Sequence, residues 1–368
     1  MIPLAEPLLS ETELHRVQTV LESGQLADGP EVRAFEREFA DYCETAHAVA
    51  TANGTAALHA ALAALDIGPG DRVLTTPFSF IATANAIRLV GAEPVFADID
   101  PVTYTLDPEA ARQVAEREPI DAILAVHLYG LPAAMDPLAA LADELEIPLI
   151  EDAAQAHGGT YEGNPAGSIG DVGCFSFYPT KNMTTGEGGM VTTDDEDIAS
   201  RLEAFVNHGR TDVDDRSYVH ERVGHNFRLT SLAATIGRTQ LERLPGFLET
   251  RRENADMLTR GLRDHDVDVA VPVEPAHVEH AYHQYTIRAR DRDHRDGLRD
   301  WLADHDIGVG VYYPRCIHQQ PAYAGSVTTG DLSAAEAAAA TVLSIPVHPG
   351  VTPTDCARIT EVCAQYGA

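Results

Sequence analysis

The sequence predicts an α/β protein: a doubly wound layer with a mainly parallel sheet, followed by a smaller C-terminal unit. Three observations predict it. Seven short apolar runs recur between residues 46 and 193, most of them unbroken, as strands covered on both faces require. Stretches of helical period separate them, the alternation that builds parallel sheets. Beyond about residue 264 the pattern changes to a smaller set of elements. At 368 residues the chain exceeds the usual single core, so a large domain over 1–245 and a small one over 246–368 are expected.

Taken in order, residues 11–23 and 32–43 read as amphipathic helices, with Gly24 and Gly29-Pro30 as breakers between them. The seven strands are expected at 46–51, 72–76, 94–97, 122–127, 148–151, 172–177 and 189–193. Helices at 56–65, 82–90, 108–117 and 135–146 lie between them. Helical patterns continue over 195–206 and 232–259, interrupted by an irregular polar stretch at 207–228. The smaller unit reads as a strand at 282–288, a helix at 294–304 and a strand ending in Val311-Tyr312-Tyr313-Pro314. An alanine-rich helix at 333–342 and a last helix at 353–366 complete it.

The formal charge of −31 comes from 57 acidic residues against 26 basic ones, spread along the chain. Such self-repulsion asks for counter-ions, a pattern like that of salt-accumulating halophiles. It disfavours a nucleic-acid partner, since no basic stripe exists to neutralise phosphates. No apolar stretch approaches the length of a membrane span, and the N-terminus lacks the basic flank and apolar core of a secretion signal, so a cytoplasmic protein is expected. Five cysteines without metal-ligand spacing read as reduced and mostly buried. His277, His280 and His283 repeat every three residues, but no zinc motif frames them, and no metal is expected.

Of the 26 basic residues, 25 are arginine and one, Lys181, is lysine. A primary amine can lose its proton, attack a carbonyl and form an imine, whereas a guanidinium stays charged. The surroundings of Lys181 give this weight. In sheets of this kind ligands bind where strand ends feed into loops, and the apolar run 148–150 leads straight into Glu151 and Asp152. At least one carboxylate therefore sits at the ligand-binding edge. Ser176 precedes Lys181 by five residues, and Gly186, Gly188 and Gly189 follow it. The first strand ends in Asn53-Gly54-Thr55 before a helix, a turn whose free N–H groups suit a phosphate or serve as an ordinary cap. Phe78 and Phe80 follow the second strand, as core filling or as a platform for a flat ring. An amine, a carboxylate, an aromatic and a phosphate-binding helix start are together what pyridoxal phosphate requires.

With these residues in view, the chain resembles the DegT/DnrJ/EryC1/StrS family of sugar aminotransferases, of fold type I, over essentially its whole length. The matching pieces include Asn53-Gly54-Thr55-Ala56-Ala57-Leu58, His127-Leu128-Tyr129-Gly130 and Glu151-Asp152-Ala153-Ala154-Gln155-Ala156-His157-Gly158. Others are Phe175-Ser176-Phe177-Tyr178-Pro179-Thr180-Lys181-Asn182, Gly186-Glu187-Gly188-Gly189, Asn207-His208-Gly209-Arg210 and Pro346-Val347-His348-Pro349-Gly350. The resemblance implies that Lys181 is the lysine that condenses with the cofactor and that Asp152 partners the pyridine nitrogen. It further implies Gln155 at the ring hydroxyl, Phe80 on the ring face, and Gly54, Thr55 and Ser176 at the phosphate. Asn226 would reach the phosphate of a neighbouring subunit, giving a homodimer with shared sites, and His318 would approach the sugar nucleotide.

The activity so implied is transfer of an amino group, from glutamate, to a keto group of a nucleotide-linked sugar. A dehydratase of the same fold is a rival, but such relatives carry histidine in place of the lysine. A non-catalytic cofactor-binding regulator is another. The segment Thr184-Thr185-Gly186-Glu187 resembles enzymes acting at C4 of the sugar, whereas Phe177-Tyr178-Pro179 and Tyr312-Tyr313-Pro314 resemble those acting at C3.

Overall fold

The computed structural model describes residues 1–210, 219–324 and 330–366. Part of the polar stretch expected at 207–228, residues 211–218, lies outside the described residues. The chain opens with α1 (Glu11–Ser23), started by a capping box in which Ser10 and Glu13 satisfy each other's backbone and ended by Gly24 in the left-handed region. Next comes α2 (Pro30–Cys43), with proline in its first turn.

There follow β1 (His47–Thr51), α3 (Gly54–Ala64), β2 (Arg72–Thr75), α4 (Ala82–Leu89) and β3 (Glu93–Phe96). Then come α5 (Pro108–Ala115), β4 (Ala122–Val126), α6 (Met135–Leu145) and β5 (Leu149–Asp152). Two short strands, β6 (Thr160–Tyr161) and β7 (Asn164–Pro165), precede β8 (Val172–Ser176), β9 (Gly189–Thr193) and α7 (Glu196–Val206).

The main sheet has seven strands in the order β1-β9-β8-β5-β4-β2-β3. Strands β8, β5, β4, β2 and β3 pair in parallel, and β9 runs antiparallel between β1 and β8. These are the seven strands expected from the apolar runs. They are legible because β4 and β9 are buried at every position, and β2, β3 and β8 at all but one. Ala57, Leu58, Leu62, Val73 and Ile150 belong to the core between the sheet and its helices.

Helix α8 (Ser231–Asp264) runs for 34 residues and passes the expected boundary at 245 without ending, with Pro245 inside it. Beyond it lie β10 (Val269–Ala270), β11 (Val278–Glu279), β12 (Tyr285–Ala289), α9 (Arg292–Asp304), α10 (Ser333–Thr341), β13 (Val342–Ile345) and α11 (Pro353–Gln365). Strands β10, β12 and β13 form a separate three-stranded antiparallel sheet. Its core draws Leu258 and Leu262 from α8, Leu298 and Leu302 from α9 and Ile359 from α11, together with Ile2 from the N-terminus.

Three expectations need correction here. The strand expected at 282–288 begins only at Tyr285, because residues 281–284 are drawn off to pair with Tyr129 and Gly130. The strand expected to end at Pro314 does not form: Gly310 makes a single bridge to Ser344, and the chain then turns toward the large domain. Residues 342–345, partly read as the end of a helix, form β13 instead, fully buried beside β12.

Candidate active site

At the carboxyl edge of the main sheet lies a cavity of about 800 Å³. Its floor and walls come from the segments after β1, β2, β5 and β8, where a doubly wound sheet presents its ligand site. The segment carrying Lys181 is anchored from below. Phe175 and Phe177 pack edge-on or tilted against Phe35 and Phe39 of α2, with ring centroids 4.9 to 5.4 Å apart. From there the chain turns, the Lys181 N–H donating to the Tyr178 carbonyl at 2.8 Å, and the lysine side chain lines the cavity. Burial lowers its amine from 10.5 to about 8, opposed by the charge of Asp152.

Glu151 and Asp152 are consecutive in β5, so they point to opposite faces, and their environments separate them. Glu151 is fully buried and accepts from His127 Nε2 at 2.8 Å and from the N–H groups of Gly167, Ile169 and Gly170 at 2.7 to 2.8 Å. The other ring nitrogen of His127 accepts from Ala133 N–H at 3.0 Å, which turns Nε2 toward Glu151 as the donor. Burial would raise the Glu151 carboxyl, but these donors hold it below the ordinary carboxylate value. Its work is to tie the 167–170 loop under the sheet.

Asp152 faces the cavity. Its Oδ2 accepts from Thr83 Oγ1 at 2.8 Å, and Thr83 Oγ1 is 2.9 Å from Ser79 Oγ. Burial pushes this carboxyl above its ordinary value, against the pull of Thr83, the Ala154 N–H and Lys181. A carboxylate so buried calls for a cationic partner.

The phosphate end is built by α3. Asn53 caps the helix, its side chain accepting from Ala56 N–H at 2.9 Å, which leaves the N–H groups of Gly54 and Thr55 without an intrahelical acceptor. Ser176 stands against Gly54: a Cβ added there would lie 2.7 Å from the Ser176 Cβ. Helix dipole, free N–H groups and a hydroxyl thus converge on one spot. Gln155 is held by its Oε1, which accepts from Tyr129 N–H at 2.8 Å, while its Nε2 reaches the Tyr313 hydroxyl at 3.4 Å. Phe80 lies at the mouth, 54% exposed, its ring 6.0 Å from that of Tyr313.

The structure therefore brings seven of the sequence-derived residues together around one cavity: Gly54, Thr55, Phe80, Asp152, Gln155, Ser176 and Lys181. It does not bring Asn226 or His318 to it. Asn226 bridges to Asn207, and His318 Nε2 sits 3.0 Å from Glu336 Oε1. Residues that sequence reasoning did not assign to the site also line it, notably Thr83, Tyr129, Tyr313 and His283. Thr83 lies three positions after Phe80 in the same post-strand segment, the one local signal that could have found it.

The residues present fit pyridoxal phosphate. A buried carboxylate lacking a hydrogen-bonded cation, a half-buried amine of lowered basicity and an anion cradle at a helix start are the groups that cofactor needs. Among the described residues, no three or more His, Cys, Asp or Glu side chains converge as a metal site would require, and no helix is long and apolar enough to cross a membrane.

Comparison with known proteins adds the family. Residues 7–364 match the model of the DegT/DnrJ/EryC1/StrS aminotransferase family. The chain is 39% identical to a protein named pleiotropic regulatory protein from Geobacillus stearothermophilus, covering 96% of this chain and 94% of that one. It is also 39% identical to the UDP-N-acetyl-3-dehydro-alpha-D-glucosamine 3-aminotransferase of Acidithiobacillus ferrooxidans, covering 97% and 94%. Among solved structures it superposes on Spr1654 of Streptococcus pneumoniae in its PLP-form with a TM-score of 0.93, at 28% identity over 99% of this chain and 97% of that one. With a match that spans nearly the whole chain and a site of this composition, the protein belongs to the DegT/DnrJ/EryC1/StrS aminotransferase family.

Proposed function

We propose that the protein is a pyridoxal-phosphate-dependent aminotransferase that delivers an amino group to a keto group of a nucleotide-activated sugar. The observation that carries this reading is Lys181, the chain's one lysine, half-buried in the cavity with Asp152, its amine lowered to about 8. Pyridoxal phosphate, when bound, supplies an aldehyde for the amine and a ring that draws electrons from the carbon losing its proton. When the cofactor is bound, Lys181 Nζ would take the proton from the amine-bearing carbon of the donor in the first half-reaction and deliver one to the sugar carbon that receives the amine in the second, as a base of suitable strength near neutral pH. Asp152 holds the charge that keeps a proton on the pyridine nitrogen, and Thr83 fixes its carboxylate. Gly54, Thr55 and Ser176 bind the phosphate, Gln155 meets the ring hydroxyl, and Phe80 covers the ring face.

Several finer points belong to the same reading. The amino donor is glutamate. The enzyme is a homodimer in which Asn226 serves the neighbour's phosphate, consistent with its place outside the cavity of its own chain. His318 approaches the nucleotide sugar. The chain divides near residue 245 into a cofactor-binding and a smaller domain, and it works in a salt-rich cytoplasm, which its charge of −31 favours.

The name of the Geobacillus relative favours a regulatory reading, against which the complete set of Lys181, Asp152 and Gln155 argues. The deciding experiment presents purified protein with nucleotide keto-sugars and glutamate and reads amino-sugar formation by mass spectrometry. Turnover by the wild type and none by Lys181→Ala supports the enzyme. Cofactor binding with no turnover on any keto-sugar supports the regulator.

A further inference from the structure

Tyr129, in the turn after β4, holds three segments of the cavity wall, each by a different polar group. Its N–H donates to Gln155 Oε1 at 2.8 Å, and its carbonyl accepts from the Gln284 N–H at 3.1 Å. Its hydroxyl donates to the Tyr312 carbonyl. Gln155, Gln284 and Tyr312 all line the cavity, as Tyr129 itself does. They come from the segment after β5, the stretch before β12 and the stretch after α9, so one residue ties together parts of the wall that are far apart in sequence.

The turn is set by its surroundings. The φ of Tyr129 is 60°, in the left-handed region, which a residue with a bulky side chain holds only where its neighbours fix it. Gly130 follows in the same region, and a Cβ there would lie 2.9 Å from the His283 nitrogen, so the turn is pressed against the stretch that carries Gln284. The Tyr129 side chain packs edge-on against Tyr104, with ring centroids 6.1 Å apart. Burial keeps its phenol protonated and therefore a donor.

The stretch that receives this hydroxyl has little regular structure of its own. Residues 311–316 belong to no helix or strand. At one end the Gly310 N–H donates to the Ser344 carbonyl at 3.1 Å, and at the other the Ile317 N–H donates to the Pro77 carbonyl at 2.8 Å. Between these ends the Tyr129 hydroxyl grips the backbone, and Gln155 Nε2 makes a longer contact of 3.4 Å to the Tyr313 hydroxyl. The residues given to the cofactor in this cavity end at Lys181, whereas Gln284, Tyr312 and Tyr313 come from beyond α8.

We propose that Tyr129 is a positioning residue for the substrate side of the cavity: its hydroxyl, through the Tyr312 carbonyl, keeps the wall contributed from beyond α8 in register with Gln155. The proposal deepens the aminotransferase reading and rests on it for what that wall meets, the nucleotide keto-sugar. A wall held by one hydrogen bond fewer binds substrate and transition state less well by the same amount, so the loss falls on KM and not on kcat.

The sequence supplies a direct test. Of the chain's 12 tyrosines only Tyr312 and Tyr313 are adjacent. Protein labelled with tyrosine carrying ¹³C at the carbonyl and ¹⁵N at the amide therefore gives one carbonyl–nitrogen correlation, whose carbon is the Tyr312 carbonyl. In cofactor-free Tyr129→Phe, which keeps the ring and its packing, that carbon signal moves upfield, as a carbonyl does on losing a hydrogen bond. Tyr104→Phe, which removes a neighbouring buried hydroxyl, leaves it in place. In the restored Tyr129→Phe enzyme, KM for the nucleotide keto-sugar that the wild type turns over rises at least about fivefold, while kcat and cofactor affinity stay within about twofold. A Tyr312 signal unmoved in Tyr129→Phe, or moved equally by Tyr104→Phe, overturns the proposal, and so does a loss confined to kcat or to cofactor affinity. Failure of the aminotransferase reading shows separately, as a wild type without turnover, and the carbonyl signal of the cofactor-free protein still decides whether Tyr129 holds the wall.

Discussion

A Cβ placed on Gly54 would stand 2.7 Å from the Cβ of Ser176 and 3.1 Å from its hydroxyl. The first residue of α3 and the last residue of β8 therefore share the space in which an anion is to be held, and only a residue without a side chain leaves it open. Gly54→Ala obliges Ser176 or the start of α3 to shift, and is expected to lose at least about tenfold in cofactor affinity, about 1.4 kcal/mol. Titration of the cofactor-free protein with pyridoxal phosphate, followed by absorbance, measures it. Unchanged affinity would remove the phosphate from this end of the cavity.

Asp152 is expected to be the second most sensitive position after Lys181. Asp152→Asn keeps the shape and can still meet Thr83, which now donates at 2.8 Å, but loses the charge. A loss of at least about 100-fold in kcat, about 2.7 kcal/mol, is expected with the cofactor still bound. Retention of most activity would mean that the ring nitrogen needs no proton here.

The lowered amine predicts a pH dependence of stability. Between about 8 and the ordinary 10.5 the unfolded chain holds a proton on Lys181 that the folded, cofactor-free chain has lost. The unfolded state binds more protons in that window, so this group's contribution to stability rises with pH across it. Lys181→Met removes the dependence. Urea unfolding of both proteins at pH 7.5 and 9.5 measures it, and parallel curves for the two would refute it.

The charge predicts a salt dependence. With 57 acidic and 26 basic residues, repulsion within the folded chain is screened as salt is added. The melting temperature is expected to rise by several degrees between about 0.1 M and 2 M KCl, where the Debye length falls from about 10 Å to under 3 Å. A flat response would remove the halophilic reading.

Much of this molecule was legible because its signals are local. The seven strands of the main sheet are short, mainly apolar runs. The helix starts carry their own caps, such as Asn53 for α3 and Thr352 with Asp355 for α11. Strand β13 was less legible, because Val342-Leu343-Ser344-Ile345 follows an alanine-rich helix with no breaker, and only its pairing with β12 makes it a strand.

By itself the sequence determined which chemistry was available: one lysine, a carboxylate at a strand end, a glycine and a hydroxyl at a helix start, and the spacing that resembles a family. The tertiary structure alone decided what each group experiences. It separated Glu151 from Asp152 by giving the first four donors and the second Thr83 and the cavity. It also carried His283 from a distant stretch of chain to the lysine's cavity. Strand order, burial and the field of neighbouring charges arise from contacts between residues far apart in sequence, and no local pattern encodes them.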